Sequence, residues 1–130
     1  MNSLHSWTEQ YARFKMIHEP GEQSLTNRGE TIVVKTGKGV REYVVMEELR
    51  LPEKLTEKTV LVTKNSKANF DFFLKHFDAF AELADVIMVF VHVATNTYWL
   101  INPRLHKRFS DPAMRKESLK NMFVEVAHEN

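Results

Sequence analysis

The sequence predicts one α+β (or α/β) domain spanning residues 1–130. Its mixed β-sheet is flanked by helices in the order αβββαββα. Three observations carry this. Residues Thr31 to Met46 read as a β-hairpin rich in β-branched side chains. From Phe70 to Ala84, phenylalanines and alanines recur at helical spacing. The run Val86-Ile87-Met88-Val89-Phe90-Val91 barely alternates, as a strand buried on both faces does.

The elements follow in chain order. Leu4, Trp7, Tyr11, Phe14 and Ile17 are spaced by three and four, which predicts a first helix with that stripe inward. Ser6 and Glu9 form an S-x-x-E pair, the pattern of a capping box. Glu19-Pro20-Gly21 ends this helix, and the polar stretch Gln23 to Gly29 reads as a loop. Thr31–Lys35 and Val40–Met46 are strands joined by Gly37-Lys38-Gly39. Glu47 to Lys58 is charged, holds Pro52, and suits a connection or a short helical turn. Thr59–Thr63 is a third strand. Asn65, Ser66 and Asn69 offer N-caps to the phenylalanine helix. Strand, helix, strand from Thr59 to Val93 then predicts a right-handed parallel unit. Tyr98–Ile101 returns as an antiparallel partner, ended by Asn102-Pro103. Asp111-Pro112 starts a last helix that carries Met114, Leu119, Met122, Phe123 and Val126 inward.

Bulk properties narrow the function. Hydrophobic residues make up 43% and charged residues 27%, as in ordinary globular proteins rather than disordered ones. Lys and Arg number 18 against 17 Asp and Glu, so net charge does not announce a nucleic-acid binder. With no cysteine there is no disulfide framework, thiolate zinc site or cysteine nucleophile. The longest apolar run is far short of the roughly 20 residues a membrane helix needs. Met1 to Trp7 lacks the features of a signal peptide. A soluble cytoplasmic protein with no membrane partner is the expectation.

The order helix, three strands, helix, strand between Leu4 and Ile101 resembles the restriction-endonuclease-like, or PD-(D/E)XK, superfamily, whose small Holliday-junction resolvases are about this size. The resemblance implies a nucleic-acid-binding protein, with metal-dependent phosphodiester hydrolysis as its chemistry. Enzymes of that family bind a divalent ion through an acid on the second strand and the acid of an E-x-K motif on the third. Carboxylates suit Mg²⁺ because it prefers hard oxygen ligands. By resemblance, Glu9 corresponds to the glutamate of the first helix and Lys64 to the motif lysine, the two catalytic candidates. Glu42, in Arg41-Glu42-Tyr43, is the second-strand acid. Val62 stands where the E-x-K acid belongs, so Glu47 or Glu48 would have to substitute. Glu42 and Glu48 are thus the metal candidates, and the set is one acid short.

Other readings compete. Glu9 also serves as the capping partner of Ser6, and Lys64 and Glu42 as solvated strand residues. Gly37-Lys38-Gly39 lacks the frame of a phosphate loop and suits a hairpin turn. The six histidines form no zinc motif, and His92 ends the central strand as a core residue or a catalytic one. Arg104, Lys107, Arg108, Arg115, Lys116 and Lys120 form a local basic segment with Phe109 nearby. Basic side chains reach phosphates and rings stack on bases, so this segment is a candidate contact for DNA or RNA. The alternative is a non-enzymatic protein-interaction module, homodimeric through an edge strand or the last helix. A small-molecule enzyme using His92 is the third reading.

Overall fold

The computed structural model describes residues 3–53, 58–83 and 86–129. A six-stranded sheet runs through it: β1 Ser24–Arg28, β2 Thr31–Thr36, β3 Gly39–Met46, β4 Thr59–Lys64, β5 Ile87–His92 and β6 Thr97–Ile101. The spatial order equals the chain order. β1, β2 and β3 form an antiparallel meander, β3–β4 and β4–β5 are parallel, and β5–β6 is antiparallel. The helices are α1 Leu4–Met16, α2 Lys67–Lys75, α3 Phe77–Leu83, α4 Pro103–Phe109 and α5 Pro112–Glu125. The mixed sheet with flanking helices is as predicted. No helix among the described residues is long and apolar enough to cross a membrane.

Each face of the sheet carries its own core. On one face, Leu61, Met88, Phe90, Trp99 and Ile101 meet Phe70, Phe73, Phe77 and Phe80 of α2 and α3 and Leu119 and Phe123 of α5. Trp99 stacks on Phe90 at 4.4 Å and Phe70 on Phe123 at 4.6 Å. Burying each such ring contributes roughly 1.5–3 kcal/mol, so this layer dominates the fold. On the other face, Ile32, Val34, Tyr43, Val45, Val60, Val62, Val89 and Val91 pack against α1. β5 is buried on both faces because it is shared by the two layers.

Two buried asparagines fasten the carboxyl ends of the parallel strands. Asn69 Nδ2 lies 3.0 Å from Glu47 O, Thr63 Oγ1 and Lys64 O, while its Oδ1 accepts from Leu49 N–H. One side chain thus ties the β3–β4 connection to the end of β4 and the start of α2. Asn65 Oδ1 accepts from Trp99 Nε1, and its Nδ2 donates to Ala127 O. Glu129 pairs through its backbone with Asn65 and Lys67, so the C-terminal segment crosses this end of β4.

Several elements differ from expectation. Ser24–Arg28 is the edge strand β1, not a loop; almost wholly exposed, it lacks the apolar alternation that marks a strand. Ser3, not Ser6, caps α1 by accepting from Ser6 N–H. The inward row of α1 is Leu4, Thr8, Ala12 and Met16 with Trp7, while Phe14 is 70% exposed. Small Thr8 and Ala12 let the helix lie close to the sheet, which turns Phe14 and Ile17 outward. The phenylalanine helix is interrupted at His76, giving α2 and α3; Ala84 lies outside the described residues. Asn102-Pro103 ends β6 and also opens α4, since Asn102 Oδ1 caps Leu105 N–H. In α5 only Leu119 and Phe123 are buried; Met114 and Met122 face out. The described part of Glu47 to Lys58 contains no helix, and 54–57 lies outside the described residues.

The hairpin turn at Gly37 holds as predicted. Its N–H donates to Pro20 O, and a side chain at Gly37 would collide with that carbonyl. The loop after α1 is thereby pinned to the β2–β3 turn.

Candidate functional site

Glu9, Glu42, Glu48 and Lys64, singled out by the nuclease resemblance, are not brought together, although the substitute acid Glu47 does pair with Lys64. Glu9 lies over β1, where its Oε1 accepts from Asn27 Nδ2 at 2.8 Å. Lys64 ends β4, three strands away, about 14 Å at the usual strand spacing. There it pairs with Glu47 at 3.4 Å and Glu129 at 4.0 Å. Glu42 adjoins Tyr43, which packs under α1, so the pleat turns Glu42 to the opposite face. Glu42 also lies four strand residues, about 13 Å, before Met46, with Glu48 beyond that. Glu48 lines a separate hollow with Glu30, Arg50 and His5. Mg²⁺ holds its oxygen ligands at about 2.0–2.1 Å. Glu42 and Glu48 therefore do not fit one ion, and no group of three His, Asp or Glu that could hold a metal exists among the described residues.

The basic segment is partly spoken for. Arg104 donates to Ala81 O and Glu82 O, capping the end of α3. Lys107 pairs with Asp78 at 3.4 Å and Glu82 at 3.7 Å. Arg115 lies 4.5 Å from the centre of the Phe77 ring, pairs with Asp78 and donates to Ser110. Arg108, Lys116 and Lys120 have no acidic partner among the described residues. The cleft beside Lys116 is of mixed charge, lined by Asp71 and Asp78 as well as by Lys75 and Arg115. His106 is held below its usual pKa by burial and by Arg115, and its Nε2 has no hydrogen-bond partner in this interior position.

His92 bonds Thr95 Oγ1 through Nδ1, within the 3₁₀ turn Val93–Thr95. That contact orients the turn, and no acid hydrogen-bonds the ring among the described residues.

A different set converges on the α1 face. α1 alone covers this side of the sheet among the described residues, and the surface over β5 and β6 stays open. A groove of about 680 Å³ runs there, lined by Tyr11, Lys15, Glu19, Arg41, Tyr43, Lys58, Ile87 and Leu100. It meets at Tyr11 a second hollow of about 340 Å³, lined by Trp7, Phe14 and Tyr98 among others. Tyr11 is the hub. It stacks on Trp7 at 5.0 Å and meets Tyr98 and Tyr43 edge-on at 5.4 and 6.3 Å. Trp7 is fixed by its Nε1 bond to Asn96, a left-handed residue in the β5–β6 turn.

The electrostatics of the groove favour an anion. Lys15 Nζ sits 5.4 Å from the Tyr11 ring centre, an exposed cation–π contact. Lys58 lies against Gly39, whose positive φ and missing side chain make room for the ammonium. Arg41 stands two residues before Tyr43 on the same face of β3, where the two side chains interact. Burial pushes the Arg41 guanidinium down, but Tyr43 and Glu19 outweigh that and leave it raised. Among the described residues Glu19 is the one acid lining the groove; it is 12% exposed and paired with Arg41 at 3.5 Å. Burial, then the neighbouring Tyr98 and Tyr43, lift Tyr11 to about 12. Burial also raises Tyr43, against the pull of Arg41. Both phenols are therefore neutral donors at physiological pH.

Sequence reasoning placed Tyr11 and Phe14 in the buried stripe and did not single out Lys15, Arg41 or Lys58. The available signal was the row Leu4, Thr8, Ala12, Met16 at strict spacing of four, whose small members mark the contact line and leave the bulky rings on its flank. Comparison with protein-family models, with curated proteins and with solved structures finds no match to this chain.

Proposed function

We propose that this chain is a nucleic-acid-binding module that holds a single-stranded segment in the α1 groove and carries no hydrolytic centre of its own. The observation that carries the reading is a groove holding Lys15, Arg41 and Lys58 that meets, at Tyr11, a hollow lined by Tyr98 and Phe14, with a single, already paired acid among the described residues. Single strands are bound by this combination: cations follow the phosphates and rings accept bases, each of which has a π-face. Reading bases in the major groove of a duplex takes a helix or ribbon, whereas here the rings flank a concave surface.

The test is the anisotropy of labelled oligo-dT and oligo-U as salt is raised. Three phosphate contacts predict a slope of log K against log salt of about −2. Lys58→Ala should reduce that slope by about 0.7 and weaken binding similarly across sequences. Lys64→Ala should leave both unchanged, and Mg²⁺ or Mn²⁺ should produce no cleavage of branched or linear DNA. Absence of binding at low salt would remove the proposal and leave the protein-interaction reading.

A further inference from the structure

We infer that the α1 groove takes the phosphorylated end of a strand, with the terminal phosphate among Lys15, Arg41 and Lys58 and the adjoining base in the aromatic hollow. The inference rests on the nucleic-acid reading and narrows it from any single-stranded segment to a strand end. What carries it is the separation of charge from rings. All three cations line the groove of about 680 Å³. The hollow of about 340 Å³ that meets it at Tyr11 has no charged residue among its described lining. A strand that passes through a site meets cations along its path, because every nucleotide brings a phosphate. Here the cations gather on one side of Tyr11 and the other rings on the opposite side.

The charge of the groove matches a phosphomonoester. Its described lining holds Lys15, Arg41 and Lys58 against Glu19 alone, which leaves two net positive charges. A phosphomonoester carries about −1.5 to −2 at neutral pH, whereas a bridging phosphodiester carries a single negative charge. Burial raises Tyr11 and Tyr43, so neither phenol adds negative charge. The cations also stand close to one another. Lys58 Nζ lies beside Gly39, two residues before Arg41 on β3, about 7 Å along the strand. Lys15 Nζ is 5.4 Å from the Tyr11 ring, which is 6.3 Å from the Tyr43 ring beside Arg41.

The hollow suits one base. Pockets that seat small ligands begin at about 300 Å³. Trp7, Tyr11 and Tyr98 already contact one another, and Asn96 fixes Trp7. Phe14, 70% exposed on the rim, is the ring left to stack on a base. Phe14 and Lys15 are consecutive on α1, so a base against one and a phosphate beside the other belong to a single nucleotide.

Displacement of a labelled oligo-dT by unlabelled dT oligomers of one length, bearing a 5′-phosphate, a 3′-phosphate or hydroxyl ends only, tests this. One of the two phosphorylated ends should bind about 10-fold or more tighter than the hydroxyl chain, since charge-assisted hydrogen bonds are the strong ones. Which end it is identifies the polarity of the strand. Lys58→Ala, at an exposed position, should cut that preference to about 3-fold or less. Phe14→Ala should weaken all three oligomers and leave the preference intact. Equal affinity of the three oligomers, or a preference that Lys58→Ala leaves unchanged, would overturn the inference while the single-strand reading stands. No binding of any oligomer at low salt would remove both.

Discussion

Asn69→Ala is expected to destabilise the protein by about 3 kcal/mol, lowering Tm by roughly 10 °C for a chain of this size. The argument is one of buried partners. Asn69 is 5% exposed, and its amide faces three acceptors while its carbonyl serves the buried Leu49 N–H. Alanine removes the donor and the acceptor together, and each buried group left unmade costs about 1–3 kcal/mol. The loss falls on the connection from β3 to β4, which has no helix in its described part and relies on Leu49 burial and this clamp. Asn69→Asp should be worse, because a carboxylate cannot donate to Glu47 O and Lys64 O and would be charged in the interior. Thermal and urea unfolding followed by circular dichroism measure both. A change in Tm of no more than a few degrees would show that the connection is held by other contacts.

Phe14→Ala is expected to weaken oligonucleotide binding by about 10-fold or more while leaving Tm unchanged. Stacking of one base on an aromatic ring is worth about 1–3 kcal/mol by alanine substitution. Phe14 is 70% exposed, so its removal takes little from the core. The separation of affinity from stability makes this the most informative single substitution in the groove. Tyr11 would be a poor choice, since its ring touches Trp7, Tyr43 and Tyr98 and its loss would disturb all three. Unchanged affinity in Phe14→Ala would take the ring out of the binding surface.

The fold was legible wherever local pattern and tertiary environment agree. The Thr31–Met46 hairpin, the doubly buried Val86–Val91 run and the Phe70–Phe80 stripe each carry a period that only one environment satisfies. β1 was hidden because an edge strand exposed on nearly every residue has no pattern to read. The rotation of α1 was hidden because Tyr11 and Phe14 fit the helical spacing as well as Thr8 and Ala12 do; only the close approach of the sheet distinguishes the two faces.

The candidate site was less legible for a physical reason. Matching Glu9, Glu42 and Lys64 to motif positions uses sequence order, whereas convergence depends on which face of the pleat each residue takes. Tyr43 packs beneath α1, and that alone sends Glu42 to the other side. Likewise the basic run Arg104 to Lys120 looked uncompensated because Asp78 and Glu82, which neutralise part of it, lie on a helix some distance earlier in the chain. The groove draws its residues from α1, the loop after it, β3, the start of β4, β5 and β6, so no local window contains it.

The central claim, that the open side of α1 is the binding surface, is tested most directly by mapping backbone amide shifts as a short oligo-dT is added at low salt. The account predicts changes concentrated at Tyr11, Phe14, Lys15, Arg41, Lys58 and Tyr98, disappearing as salt rises. Changes centred on α4 and α5, or none at all, would contradict it.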